Sequence, residues 1–153
     1  MYQYTDDVVI YQVVSSAEDC LNFQTNLDQL GENFSKAGLS LNPTKSQHMR
    51  FTFKRSGSIA VPGDSYSINQ EKIPAVSQAT CLGVIVDRRL SWTAHVDAIT
   101  SKCRKRLHAI KTFFPVQMGA ARQMLFKSLF RSVAEYAISV WNPSSKTLQK
   151  QLE

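Results

Sequence analysis

The chain of 153 residues has three cysteines, and they are scattered. Cys20, Cys81 and Cys103 form no CxxC pair, and no histidine stands at ligand spacing from them. A disulfide framework and a zinc site are therefore both unexpected, which fits a reducing compartment. Long hydrophobic runs are also missing. The most apolar stretch, residues 8–14, is broken by Tyr11 and Gln12 and is far too short to cross a bilayer. The two residues before Gln3 carry no basic stretch, so no signal peptide is expected. There is no internal repeat and no low-complexity tract.

What is present suits one modest domain or a fragment of a larger one. The apolar fraction of 43% is enough to build a packed core. The net charge of +6 is compatible with a polyanionic partner and equally with a solvated basic surface.

The first stretch to arrest the eye is Tyr4-Thr5-Asp6-Asp7, before Val8, Val9, Ile10 and Tyr11. The β-branched and aromatic run favours a strand, while Asp favours turns, so a hairpin is expected with both aspartates at or near its tip. Adjacent carboxylates there repel each other. Either water screens them or a divalent cation with hard oxygen ligands sits between them.

Further along, Ser15 with Glu18, or Ser16 with Asp19, has the spacing of a capping box. Apolar residues at Cys20, Phe23, Leu27, Leu30, Phe34 and Ala37 keep the helical period, and Gly38 is placed to end the helix in a left-handed cap. A helix is expected over about 17–37. Pro43 forces a turn, and alternation over 47–53 predicts a half-buried strand. Residues 54–63 read as a loop, and 65–76 as a weak hairpin around residues 69–72. Residues 80–86 read as a stronger strand in which Gly83 suggests a bulge or a close approach of backbone.

Composition shifts at residues 87–92. Beyond it, Trp92, Val96, Ile99, Cys103, Leu107, Ile110 and Phe114 make one helical stripe that ends before Pro115. Lys102, Arg104, Lys105, Arg106, His108 and Lys111 crowd the rest of that helix. A third helix over about 118–137 is apolar on more than one face, burying Ala121, Leu125, Leu129, Val133 and Tyr136, and is expected to lie between other elements. Pro143 stops the next segment, and the last ten residues are polar and expected to fray. The expected fold class is α+β: a mixed sheet with one helix to about residue 88, then a helical part.

Taken in order, these signals resemble a known family. Tyr4-Thr5-Asp6-Asp7 resembles the YxDD box of reverse transcriptases, with Thr5 where Ala is most common. The stretch from Gly38 to Ser46, with Leu39, Leu41, Asn42, Pro43 and Lys45, looks like the segment after the helix that comes behind that box. Cys81-Leu82-Gly83-Val84-Ile85-Val86-Asp87 resembles the L-G-hydrophobic strand of the primer grip. Leu90, Ser91, Trp92 and His95, the basic helix, Tyr136 and Trp141-Asn142-Pro143 are similar to the region after the palm in non-LTR retrotransposons of the jockey and related LINE type.

The resemblance implies a right-hand polymerase: the C-terminal part of the palm over 1–88 and a helical thumb-like region over 89–153. It further implies that the palm begins upstream of Met1, with the fingers and one metal-binding aspartate outside this chain. The ancestral reaction is RNA-directed DNA synthesis by nucleotidyl transfer, with two Mg²⁺ ions held by Asp6, Asp7 and that further aspartate. The implied partners are an RNA template, a DNA primer and deoxynucleoside triphosphates, with no membrane, in the nucleus or cytoplasm. Tyr4 would pack near the primer terminus, and Lys45 would neutralise or protonate the leaving pyrophosphate. Leu82 and Gly83 would brace the primer. Lys102, Arg104, Lys105, Arg106 and Lys111 would contact phosphates of the template–primer duplex. On this reading the chain alone is inactive. The alternatives are a non-catalytic basic nucleic-acid-binding module and a degraded retroelement reading frame. Trp92 and Trp141 are expected in a core rather than stacked on bases.

Overall fold

Ser16 starts the first long element. Its hydroxyl accepts from the Asp19 amide while Asp19 Oδ2 accepts from the Ser15 and Ser16 amides, so the capping box is closed on both sides. In the computed structural model, which describes residues 1–52, 65–142 and 149–150, this box opens helix α1 (Ala17–Lys36). The helix ends as the sequence implies. Gly38 takes φ +75°, the Leu39 amide reaches the Phe34 carbonyl and the Gly38 amide reaches that of Ser35. This is the Schellman arrangement, which only a residue tolerant of the left-handed region can complete cheaply.

The architecture is α+β, and its contacts divide between Val76 and Ser77 into two units. The first holds β1 (Tyr2–Tyr4), β2 (Asp7–Val9), α1, β3 (Ser67–Ile68) and β4 (Glu71–Lys72). Its core is Leu27, Tyr66, Ile68 and Ile73, with Ile10, Phe23 and Leu41 against them. The Gln24 amide docks β3 to the helix by pairing with both backbone groups of Ser67, at 2.9 and 3.0 Å. The turn between β3 and β4 is Asn69–Gln70, both at positive φ, the twist a two-residue hairpin prefers.

Two expectations for this unit are corrected. The strands do not join one mixed sheet. Among the described residues they pair as separate antiparallel two-stranded hairpins. Strands of two or three residues offer too few ladder bonds to recruit a third strand without side-chain burial between them. The strand expected over 47–53 is likewise reduced, within 47–52, to a single parallel bridge of His48 with Ala75, because alternation without a partner edge makes no ladder. Phe53, the expected loop over 54–63, the expected stop at Pro143 and, apart from residues 149–150, the expected frayed end lie outside the described residues.

The second unit begins with β5 (Gln78–Cys81) and β6 (Val84–Asp87). Residues 80–86, expected as one strand, instead straddle a hairpin whose tip is Leu82–Gly83, at φ +47° and +79°. Asp87 then folds the chain toward helix α2 (Thr93–Phe113), taking the Arg89 amide at 2.8 Å and the Ser91 hydroxyl at 2.7 Å. Burial pushes its carboxyl up, but the bonds from Ser91 and the neighbouring amides outweigh it and hold it below the usual range. Beyond Pro115 come a 3₁₀ turn (Val116–Met118), α3 (Gly119–Leu125), a π-helical segment (Phe126–Arg131), α4 (Ser132–Ala134) and, after a break at left-handed Ala137, α5 (Ile138–Trp141).

The core here is Val84, Val96, Ile99, Cys103 and Trp141. The apolar stripe expected on α2 therefore faces inward as read. The helix expected over 118–137 is not enclosed. One side packs on α2, while Met124 is 73% and Leu129 42% exposed and Tyr136 lies half in water.

His95 belongs to this core, 3% exposed. Its Nδ1 accepts the Ile85 amide at 3.1 Å, so the ring is neutral with its proton on Nε2, which has no hydrogen-bond partner among the described residues. Burial, aided by the charge of Lys102, holds its pKa below 6.5. A depressed pKa means that stability is full above pH 6.5 and is lost as pH falls from there through the folded value. Tryptophan emission reports on this unit, since Trp92 and Trp141 both lie in it. Denaturant midpoints read from that emission are expected to fall between pH 7 and pH 5, and less so in a His95→Asn chain.

Candidate functional site

The pairing Tyr4↔Asp7 leaves a loop of two residues, Thr5 and Asp6. This puts Asp6 in the turn and Asp7 at the first position of β2, both exposed. The alternation of a strand then sorts the neighbours. Tyr2, Tyr4, Asp7 and Val9 share one face, and Gln3 and Val8 the other. Tyr11, beyond the end of β2, stacks on Tyr2 at 5.7 Å.

Thr5 shapes this tip. It takes φ +52°, costly for a β-branched residue, and its hydroxyl lies 3.0 Å from Asp6 Oδ1 and 2.7 Å from the Tyr4 carbonyl. The Thr5 bond is the main reason the Asp6 carboxyl sits below its ordinary 3.8; the charge of Lys45 adds a smaller pull in the same direction. Asp6 is thus ionised and oriented. Nothing in the sequence pattern alone signals that Thr5 binds its neighbour.

Lys45 is set by Asn42. The Asn42 Oδ1 accepts from the Thr44 amide at 3.0 Å, its hydroxyl at 2.7 Å and the Lys45 amide at 3.3 Å. Ser46 closes the same turn on the Asn42 carbonyl. Asn caps, Pro43 presets φ, and one helical turn presents Lys45 to solvent. Of the sequence-derived candidates, Asp6 and Lys45 are thereby brought within electrostatic range of each other. Among the described residues no group of three His, Cys, Asp or Glu side chains could hold a metal ion. Two adjacent hard carboxylates suit one side of a Mg²⁺ site, and this chain's described residues supply no third.

The second set of candidates lies in the other unit. Leu82 and Gly83 form the β5–β6 tip, with the Leu82 side chain 44% exposed. Lys102, Arg104, Lys105 and Lys111 are exposed on α2, whose single acid is Asp97. Arg104 and Lys105 line a depression of about 490 Å³ with Asp97, Thr100 and Ser101. Arg106 is different: half-buried, its guanidinium donates to the Leu129 carbonyl, tying α2 to the π-helical segment. Charge is divided along the chain. Residues 1–76 carry six Lys or Arg against eight Asp or Glu, and residues 77–153 twelve against four.

Among curated proteins, the chain is similar to a probable RNA-directed DNA polymerase from transposon BS of Drosophila melanogaster, 22% identical over 154 residues. That match covers 98% of this chain and 17% of the relative, so the chain spans about a sixth of that protein's length. No family model matches. No solved structure matches either.

Proposed function

We propose that this chain is a piece of a reverse transcriptase, the end of the palm and the start of the thumb of a jockey-like non-LTR retroelement polymerase. One observation carries the reading: within a chain similar over 98% of its length to a transposon polymerase, Asp6 lies in an exposed two-residue hairpin turn and Asp7 directly follows it on β2, opposite Tyr4.

On this reading Asp6 and Asp7 hold Mg²⁺ in the longer polymerase, together with a further aspartate. The ions supply Lewis-acid activation of the attacking 3′-hydroxyl and charge neutralisation on the leaving pyrophosphate. Thr5 keeps the Asp6 carboxylate ionised and oriented. Lys45 offers positive charge near the tip for the pyrophosphate of a deoxynucleoside triphosphate. Tyr4 stands on the same hairpin face as Asp7, where a primer terminus would lie. Lys102, Arg104, Lys105 and Lys111 neutralise phosphates of an RNA template paired to a DNA primer, without reading sequence. The polymerase would act in the nucleus or cytoplasm.

A second reading keeps only the basic surface and makes the chain a non-catalytic nucleic-acid-binding module. The excess of cations in residues 77–153 favours it. The two part at the tip. Under the polymerase reading, Mn²⁺ used as a paramagnetic probe broadens the Asp6 and Asp7 amide signals before those of Glu18 or Asp28; uniform broadening favours the module.

The 153-residue chain is expected to bind an RNA–DNA hybrid in a salt-dependent way and to give no primer extension with Mg²⁺ on an RNA template. Clear extension product from pure chain would sink the expected inactivity. Absent or salt-insensitive hybrid binding would sink both readings.

A further inference from the structure

The hairpin tip Leu82–Gly83 is tied to residues far along the chain. The Tyr136 hydroxyl donates to the Leu82 carbonyl at 2.7 Å. The same ring lies where a side chain on Gly83 would reach, with Cε1 3.5 Å from an ideal Cβ position. Tyr136 is itself held from behind, because the Trp141 indole N–H donates to its carbonyl at 2.6 Å. Trp141 is fully buried, and its ring meets that of His95 edge-on at 5.2 Å. The circuit closes on the hairpin it began from, since His95 Nδ1 accepts the Ile85 amide of β6.

We propose that Tyr136, Trp141 and His95 are positioning residues that hold the Leu82–Gly83 tip in the pose that meets a primer terminus, an inference that rests on the reverse-transcriptase reading.

The physical need is local. A two-residue turn of this twist requires positive φ at both positions. Gly83 adopts it freely, but Leu82, at φ +47°, does not. Left alone, the tip would relax toward other turns, and the exposed Leu82 side chain would change direction with it. The Tyr136 bond fixes the Leu82 carbonyl and leaves that side chain facing solvent. His95 fixes the strand three residues away. The tip therefore presents one apolar group and a closely approachable glycine backbone in a single orientation. That is what bracing a sugar–phosphate end requires, where a misplacement of an ångström is costly. None of the three residues needs to touch nucleic acid.

The test is Tyr136→Phe in the full chain, which keeps the ring against Gly83 and deletes the hydroxyl. Two quantities are read. The first is amide hydrogen exchange at Gly83 and Val84 relative to α2. The second is the affinity ratio between an RNA–DNA hybrid with a recessed DNA 3′ end and the same hybrid filled in to a blunt end. The unaltered chain is expected to prefer the recessed end. In Tyr136→Phe, exchange at the tip is expected to rise about fivefold, the weight of one ordinary hydrogen bond, with α2 unchanged, and the preference to disappear. A tip that exchanges as before, or a preference that survives, overturns the proposal while leaving the reverse-transcriptase reading intact. Hybrid binding with no end preference in the unaltered chain overturns it too. No hybrid binding at all by the unaltered chain overturns the reading and the proposal together.

Discussion

Reversing Lys102, Lys105 and Lys111 to Glu together is expected to cut the affinity for an RNA–DNA hybrid about a hundredfold or more near 0.1 M salt, and to flatten its dependence on salt. All three side chains are exposed on α2, and the helix carries one acid, Asp97, so its field rests on these lysines with Arg104 and Arg106. Each phosphate contact contributes about 0.9 to the slope of log affinity against log salt, so losing three lowers the slope by roughly 3. Arg106 is left unaltered because its guanidinium also donates to the Leu129 carbonyl, so changing it would remove that tie as well as a charge. The helix itself should tolerate the change. Glu and Lys have similar helix propensity, and the one added penalty is a negative charge at Lys111, in the last turn, of about 0.3–1 kcal/mol. A Lys36→Glu, Lys72→Glu, Lys127→Glu chain, altered at three exposed lysines off α2, is the control for net charge. Fluorescence anisotropy across a salt series decides it. Unchanged slope and affinity in the triple variant, or an equal loss in the control, would remove α2 as the binding surface.

Trp141→Ala is expected to lower the stability of the second unit by about 3–5 kcal/mol. The side chain is fully buried among Val84, Val96, Ile99 and Cys103, and its N–H satisfies the Tyr136 carbonyl. Truncation leaves a large cavity and an unmet acceptor at once. Against a total of about 5–15 kcal/mol for an ordinary domain, that is a large share. In a unit of this size it corresponds to a fall in Tm of more than about 10 °C. Circular dichroism follows the melt, and Trp92 emission serves as a local reporter. A shift of only a degree or two would show that Trp141 is not the keystone of this core. Trp141→Phe, which keeps much of the apolar ring but drops the N–H and part of the volume, should lose less than Trp141→Ala.

Much of the local structure was legible from the sequence because its causes are local. Ser16 and Asp19 cap each other across three residues, and Gly38 ends the same helix by its own conformational freedom. The stripe from Trp92 to Phe114 needs only the helical period to predict an inward face. Asp6 and Asp7 could be placed at or near a hairpin tip from turn preference and the β-prone run after them, and the structure puts Asp6 in the turn and Asp7 on β2. Within the candidate site, the residue types were readable but their ties were not. That Thr5 orients Asp6, or that Asn42 folds a turn beneath Lys45, depends on side-chain geometry that spacing does not encode.

The departures from expectation have one physical origin. A strand over 47–53 and an enclosed helix over 118–137 rest on alternation and apolar content, which state what a segment can bury and not what is there to bury it. The hairpin at 78–87 is the sharpest case. Leu82 has no intrinsic preference for positive φ, so the segment reads as continuous strand. Tyr136, fifty-four positions away, and His95 make the turn hold. The sequence by itself determined the α+β class, the capped first helix, the acidic turn and the excess of basic residues toward the C-terminus, because those arise from propensity, period and charge. Only the tertiary structure decided that Arg106 bonds the Leu129 carbonyl and that Tyr136, Trp141 and His95 fix the Leu82–Gly83 tip, because each depends on groups distant in sequence meeting within hydrogen-bond or van der Waals reach.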